Sequence, residues 1–258
     1  MLQKLKKLPK NRPIEKLPFG GITANMLRLI AILLMISDHV WATFMSFGNW
    51  MTYLGRLAFP IFAFQLAEGF VHTKNVKKYA LRLGIFALIS ELPFNLFYSS
   101  RWFNPYHQNV LCTFLLGLAA MVIIDKMKKE RTAKTIGIGA LLLALLCAAS
   151  VVTFPDYGFT GFATIVLFYI CRDFPFAWLA QAIGMVLLHI VFFEGQVIPV
   201  TLGSVYFEFP TQGFAVLALI PIWCYKGKKG RSNKFIQYGS YAFYPVHMLI
   251  LYLIRYFA

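Results

Sequence analysis

The sequence predicts an all-α polytopic membrane protein of about nine transmembrane helices with a cytoplasmic N-terminus, and three observations predict it. First, 59% of the 258 residues are hydrophobic and only 14% are charged, with a mean hydropathy of +0.65, beyond what a soluble domain carries. Second, apolar segments recur along the whole chain at close to the ~20 residues that a bilayer demands. Third, the 25 Lys and Arg against 10 Asp and Glu gather in alternate loops instead of forming one stripe. A nucleic-acid-binding protein would show the stripe, so no nucleic-acid partner is expected; the alternation is the positive-inside pattern. The same composition excludes a disordered chain, a collagen-like repeat and a disulfide scaffold. Cys112, Cys147, Cys171 and Cys224 lie in different segments with no CxxC pair, and read as small buried hydrophobes.

Taken in order, residues 1–25 form a basic cytoplasmic tail and 26–258 a single transmembrane helical domain. A cleavable signal does not fit: the basic region is long, and the apolar run that starts at Met26 is interrupted by Arg28, Asp38 and His39. After this first span, further spans are placed at 52–70, 79–98, 109–126, 135–152, 158–171, 176–193, 211–225 and 239–256. With the N-terminus inside, the cytoplasmic loops hold Lys74, Lys77 and Lys78, then Lys126 to Lys134, then Arg172, then Lys226 to Lys234, while Arg101 is almost the sole cation outside. The expected location is the bacterial cytoplasmic membrane, multi-pass, with membrane lipids around it. Residues 194–210 read as a re-entrant or interfacial piece, or as a hidden further span.

An ionisable side chain at the centre of a span costs about 2.5 to 3.5 kcal/mol, so each one needs a partner, a water-filled cavity or a function. Arg28 and His39 are separated by about 1100° of helical rotation, which sets them within about 20° on one face and about 16 Å apart. Arg28 alone reads equally well as a snorkelling anchor. Asp38 beside His39 suggests a general base whose charge is supported locally. Pro60 predicts a kink in the second span that frees a backbone carbonyl near Arg56. Glu91 and Asn95 share a face of the third span, and an Arg56–Glu91 ion pair is the expected structural use of those two charges. Glu68 is expected to face the cytoplasm. His107, Gln108 and Asn109, with Asp156 and Tyr157, fall at the outer mouth, and Tyr244 and His247 flank Pro245 in the last span. His189 has apolar sequence neighbours and reads as structural. No HExxH, GxSxG, phosphate-cradling glycine loop or metal-ligand cluster is present, so no metal is expected.

In order, DH at the end of the first span, GRLAFPIFAFQLAEGF, HTKNVKKYALRL, ISELPFN, QNVL, DYGFTG and FYPVHMLIL resemble the TraX family, membrane proteins named for the pilin acetylase of conjugative plasmids. The resemblance runs from about Ala24 to Tyr252. The family is in turn similar to the broader class of integral membrane acyltransferases, whose early span carries an Arg or Lys, ten intervening residues and a His, a spacing that Arg28 and His39 match. The resemblance implies transfer of an acetyl group from acetyl-CoA, bound from the cytoplasmic side, to an amine or hydroxyl acceptor: a secreted peptide, a pilin-like N-terminus, a glycan or a lipid. On that reading His39 is the base, with Asp38 or Glu91 supporting it. Arg28 grips the donor phosphates, Arg56, Asn95 or Asn109 donates to the developing oxyanion, and Tyr244 and His247 complete the binding residues. A proton-coupled transporter would use the same intramembrane charges, and a scaffold would only pair them.

Overall fold

A computed structural model of the chain describes residues 21–45, 48–192, 195–230 and 234–257. The tail expected over 1–25 lies outside them except for residues 21–25, of which Ala24 and Asn25 already open helix α1 (Ala24–Phe44). That start is set by Thr23, whose side-chain oxygen accepts from the Met26 amide at 3.3 Å. The same device opens three more helices. Asn75 caps α4 (Val76–Ser99), Asn109 caps α5 (Val110–Glu130) and Thr132 caps α6 (Ala133–Val152). Met45, Ser100 and Arg131 close α1, α4 and α5 in the left-handed conformation.

The second expected span is two helices, α2 (Trp50–Gly55) and α3 (Ala58–His72). The break falls at Arg56 and Leu57, and Pro60 sits in the first turn of α3, where its missing N–H is no loss. The kink expected from Pro60 is therefore present one turn ahead of it, at the residue whose carbonyl the proline ring displaces. α7 (Gly158–Cys171) matches its span, whereas α8 (Ala177–Val186) passes into a π turn over Leu187–Val191. The segment expected as a span at 211–225 is a 3-10 helix (Thr211–Ala218) followed by the short α9 (Leu219–Trp223). The last helix, α10 (Lys234–Phe257), runs unbroken through Pro245. The undecided stretch before 211 is an antiparallel β-hairpin, β1 (Val197–Leu202) with β2 (Val205–Pro210), turning at Gly203 with φ 63°. Its β-branched and aromatic residues suit strands, and Pro199 takes an edge position as an edge proline should.

Among the described residues, five segments are long and apolar enough to cross a membrane: α1, α2 with α3, α4, α5 and α6. The segments α7, α8 with its π turn, and Thr211–Trp223 are shorter apolar helices, and α10 has 24 residues. Among the described residues the molecule is thus a helical membrane protein apart from one hairpin. α3 is its most buried element, packed between α1, α5 and α7, whereas α6 turns Leu141, Leu145 and Val152 outward, as a helix facing lipid does.

Basic residues at the α3–α4, α5–α6, α7–α8 and α9–α10 junctions mark one end of the bundle, here the basic end. Glu68 was expected to face water there. Instead it is buried, and Arg172 Nε donates to its carboxylate at 2.7 Å, locking α3 to the end of α7. Replacing Arg172 with Ala should destabilise the protein by up to about 3 kcal/mol, the low end for a broken buried pair, because the carboxylate keeps only the His72 ring at 3.8 Å. Thermal unfolding in detergent would read it, and an R172A/E68Q double variant should recover part of the loss.

Candidate active site

At the basic end a short parallel bridge, Ile22 to Tyr225, ties the start of α1 to the loop after α9. The Ala24 amide donates to the Lys228 carbonyl at 2.9 Å and the Lys226 amide to the Ile22 carbonyl at 3.0 Å. This brings Lys229 to Arg28. Both line a cavity of about 500 Å³ together with Lys74 and Arg82, and Tyr79, Tyr225 and His72 supply rings to its wall. Arg28 donates to the Asn25 side chain at 3.4 Å, and Arg82 lies 5.7 Å from the Tyr79 ring centroid. Glu68 is the acidic residue of this wall, and its charge is already matched by Arg172. Such a surface suits a polyanion.

Arg28 and Lys229 also border a second cavity, of about 200 Å³, that runs inward between α1, α3, α5 and α10 past Ile32, Met35, Phe62, Phe114 and Tyr244. Its inner residues Met35, Phe62, Phe114 and Tyr244 are shared in turn with a third, of about 40 Å³, whose far wall is Asp38, His39, Asp156 and Tyr157. The three adjoin through common side chains. Taken in order from the basic end, their walls pass from cations to apolar side chains to an imidazole.

His39 is only 6% exposed. Its Nδ1 stands 2.6 Å from Nε2 of His247, and its Nε2 is 3.5 Å from the Tyr98 hydroxyl. His247 Nδ1 is 2.8 Å from the Phe243 carbonyl one turn earlier in α10. The carboxylate of Asp38 turns away from this pair, accepting from Thr52 at 2.6 Å and from Arg56 at 3.2 Å, while Arg56 also donates to Thr52 at 2.7 Å. Gly55 permits that approach, because a Cβ there would fall 2.3 Å from the Asp38 Cβ. The Arg56–Glu91 ion pair expected from the sequence is therefore replaced by Arg56–Asp38. The α2–α3 break aims Arg56 at α1, whereas Glu91 on α4 faces the start of α5. There Glu91 accepts from the side-chain amides of Asn109 at 2.5 Å and Asn95 at 3.4 Å, and Asn109 also donates to the Ala87 carbonyl at 2.9 Å. The Tyr244 hydroxyl is buried at the junction of the second and third cavities beside the Val110 backbone amide, and its proton has no acceptor among the described residues.

A family model described as TraX protein matches residues 23–255. The chain belongs to the TraX family. It is 31% identical over 254 residues to the probable fimbrial assembly protein FimC, serogroup H1, of Dichelobacter nodosus, across 89% of this chain and 94% of that one. No solved structure matches.

In this TraX-family chain, Arg28 and Tyr244 line the middle cavity, His39, Asp38 and again Tyr244 line the small one beyond it, and His247 contacts His39. Glu91, Asn95 and Asn109 form a separate cluster that fastens α4 to the cap of α5, outside the walls of these three cavities. His107 and Asp156, both expected at the same mouth, meet at 3.6 Å. His189 is buried, as a structural histidine should be, but its partners are polar: Thr164 at 3.0 Å and Gln212 at 3.3 Å. Sequence reasoning missed Lys229, Arg82 and Tyr98 as site residues. The signal for Lys229 was its loop's charge, but only the pairing of Ile22 with Tyr225 selects it among the lysines there. Tyr98 lies three residues after Asn95 in α4, a helical spacing visible in the sequence.

Proposed function

We propose that this protein is an integral membrane acetyltransferase that moves the acetyl group of acetyl-CoA, taken from a cytoplasmic basic end, to an amine or hydroxyl acceptor, with His39 as general base. The observation that carries this reading is the succession of cavities from the Arg28–Lys229 rim to His39. A donor with phosphates at one end, a long flexible arm and a thioester at the other has the same order of properties. Arg28, Lys74, Arg82 and Lys229 hold the phosphates. The apolar walls exclude water from the thioester.

His39 Nε2 takes the proton of the attacking amine or hydroxyl as the new bond to the acetyl carbon forms. The carbon–sulfur bond breaks, and the same nitrogen returns the proton to the departing thiolate, so acetylated acceptor and free CoA are the products. The oxyanion donor follows from what is uncommitted. Asn95 and Asn109 donate to Glu91 and Ala87, and Arg56 donates through Nη2 to Asp38 and Thr52. Arg56 Nε has no partner among the described residues, but Arg56 lines none of the three cavities, whereas Tyr244 lines two, so its hydroxyl proton is the one placed to point at a carbonyl oxygen in the donor's route. The fimbrial-assembly name of the Dichelobacter nodosus relative makes a pilin-like subunit the first acceptor to offer.

Purified protein given acetyl-labelled CoA and a panel of pilin peptides, glycans and lipids should release free CoA and label one acceptor class. Arg28→Ala should raise the apparent KM for acetyl-CoA. Absence of CoA release across the panel, with proton-coupled flux in vesicles instead, would overturn the proposal in favour of a transporter.

A further inference from the structure

We infer that His247 fixes the tautomer of His39, placing its proton on Nδ1 and leaving Nε2 as the bare nitrogen that accepts a proton. The inference rests on the acetyl-transfer reading for its consequence, but the assignment itself follows from hydrogen-bond logic. A carbonyl oxygen can only accept, so the 2.8 Å contact of His247 Nδ1 with the Phe243 carbonyl places the hydrogen of a neutral His247 on Nδ1. Its Nε2 is then an acceptor. The nitrogen facing it at 2.6 Å, His39 Nδ1, must therefore donate, and the one hydrogen of a neutral His39 is used there.

The ring geometry agrees with a directed bond. The two imidazoles are parallel within 10° with centroids 4.9 Å apart while their nitrogens approach to 2.6 Å, which sets them edge to edge in one plane and not face over face. His39 Nε2 is left to face Tyr98, whose hydroxyl at 3.5 Å can donate to it at rest and yield to an acceptor group. His247 thus takes the part that a carboxylate plays in a Ser-His-Asp triad, orienting the imidazole and sharing the charge that forms on it. The neighbouring carboxylate cannot do so, because Asp38 is held by Thr52 and Arg56. His247 is a positioning residue: it acts through His39. It also links the base to α10, which walls the donor route through Tyr241 and Tyr244.

Four proteins in nanodiscs test this: wild type, His247→Leu, His247→Gln and, for assignment, His39→Gln, with histidine labelled in 15N. In the wild type, solid-state NMR should show His39 with a protonated Nδ1 and an unprotonated Nε2, assigned by the signals lost in His39→Gln. His247→Leu removes the acceptor and should lower kcat at least ~10-fold, a part of the usual general-base contribution, with the apparent KM for acetyl-CoA unchanged. His247→Gln restores an acceptor oxygen and should recover most of that loss. A wild-type His39 protonated on Nε2, or a folded His247→Leu variant with wild-type kcat, would overturn the inference. The expected tautomer in a wild type that does not turn over acetyl-CoA would support it and remove the acetyl-transfer reading instead.

Discussion

Replacing His39 with Gln should cut acetyl transfer at least ~100-fold, the lower range for loss of a general base, while leaving folding and acetyl-CoA binding nearly intact. Gln is a cleaner test than Ala. Its amide nitrogen can donate to His247 Nε2 as His39 Nδ1 does, so the α1–α10 contact survives. Ala would instead leave His247 Nε2 bare beside the route, where it can act as a substitute base. Single-turnover rates with labelled acetyl-CoA, beside an equilibrium binding measurement, separate the two effects. A stable His39→Gln protein with near-full transfer would make His39 structural and move the search for the base to His107 or His247.

Replacing Ile32 with Trp should reduce kcat/KM for acetyl-CoA by about 100-fold or more while phosphate-end binding changes by only a few-fold. Ile32 lies one turn beyond Arg28 on α1 and lines the middle cavity, of about 200 Å³, but not the basic one. An indole there has room to enter, so the overpacking penalty that a filled core would impose, about 1–3 kcal/mol, is largely avoided. The donor arm, however, loses its path, and a misplacement of the reacting carbon by even ~1 Å costs on the order of 100-fold. CoA itself, which carries the same phosphates without the acetyl group, reports on the basic end in a binding assay. A folded Ile32→Trp protein with the wild-type rate would show that the thioester reaches His39 by another way.

Much of this molecule is legible in its sequence, for identifiable reasons. Helices α1, α4, α5 and α6 show as apolar runs of spanning length, and their starts at Thr23, Asn75, Asn109 and Thr132 are local capping events that need no tertiary information. The common face of Arg28 and His39 follows from helical period alone. The hairpin at 197–210 was undecided because a short run of apolar and β-branched residues has the same composition in a strand as in an interfacial helix. The 3-10 character of Thr211–Ala218 and the π turn at Leu187–Val191 were hidden because tertiary neighbours, including the His189–Gln212 contact, set them.

Charge partners were the least legible part. Depth along a span places Arg56 and Glu91 at similar levels, but rotation about each helix axis decides which side they face. The two-residue break between α2 and α3 resets that rotation for Arg56. The His39–His247 pair joins residues 208 apart in sequence, and nothing local to either one announces the other. Lys229 is selected over its neighbours by a bridge between chain segments about as distant.

The most direct test of the account is the structure of the protein bound to an acetyl-CoA analogue whose thioester sulfur is replaced by a methylene group. The phosphates should lie among Arg28, Arg82 and Lys229, the arm should pass Ile32 and Met35, and the ketone should stop beside Tyr244 within reach of His39 Nε2. An analogue that occupies the basic cavity with its ketone outside the route, or that binds at the opposite end of the bundle, would contradict the account.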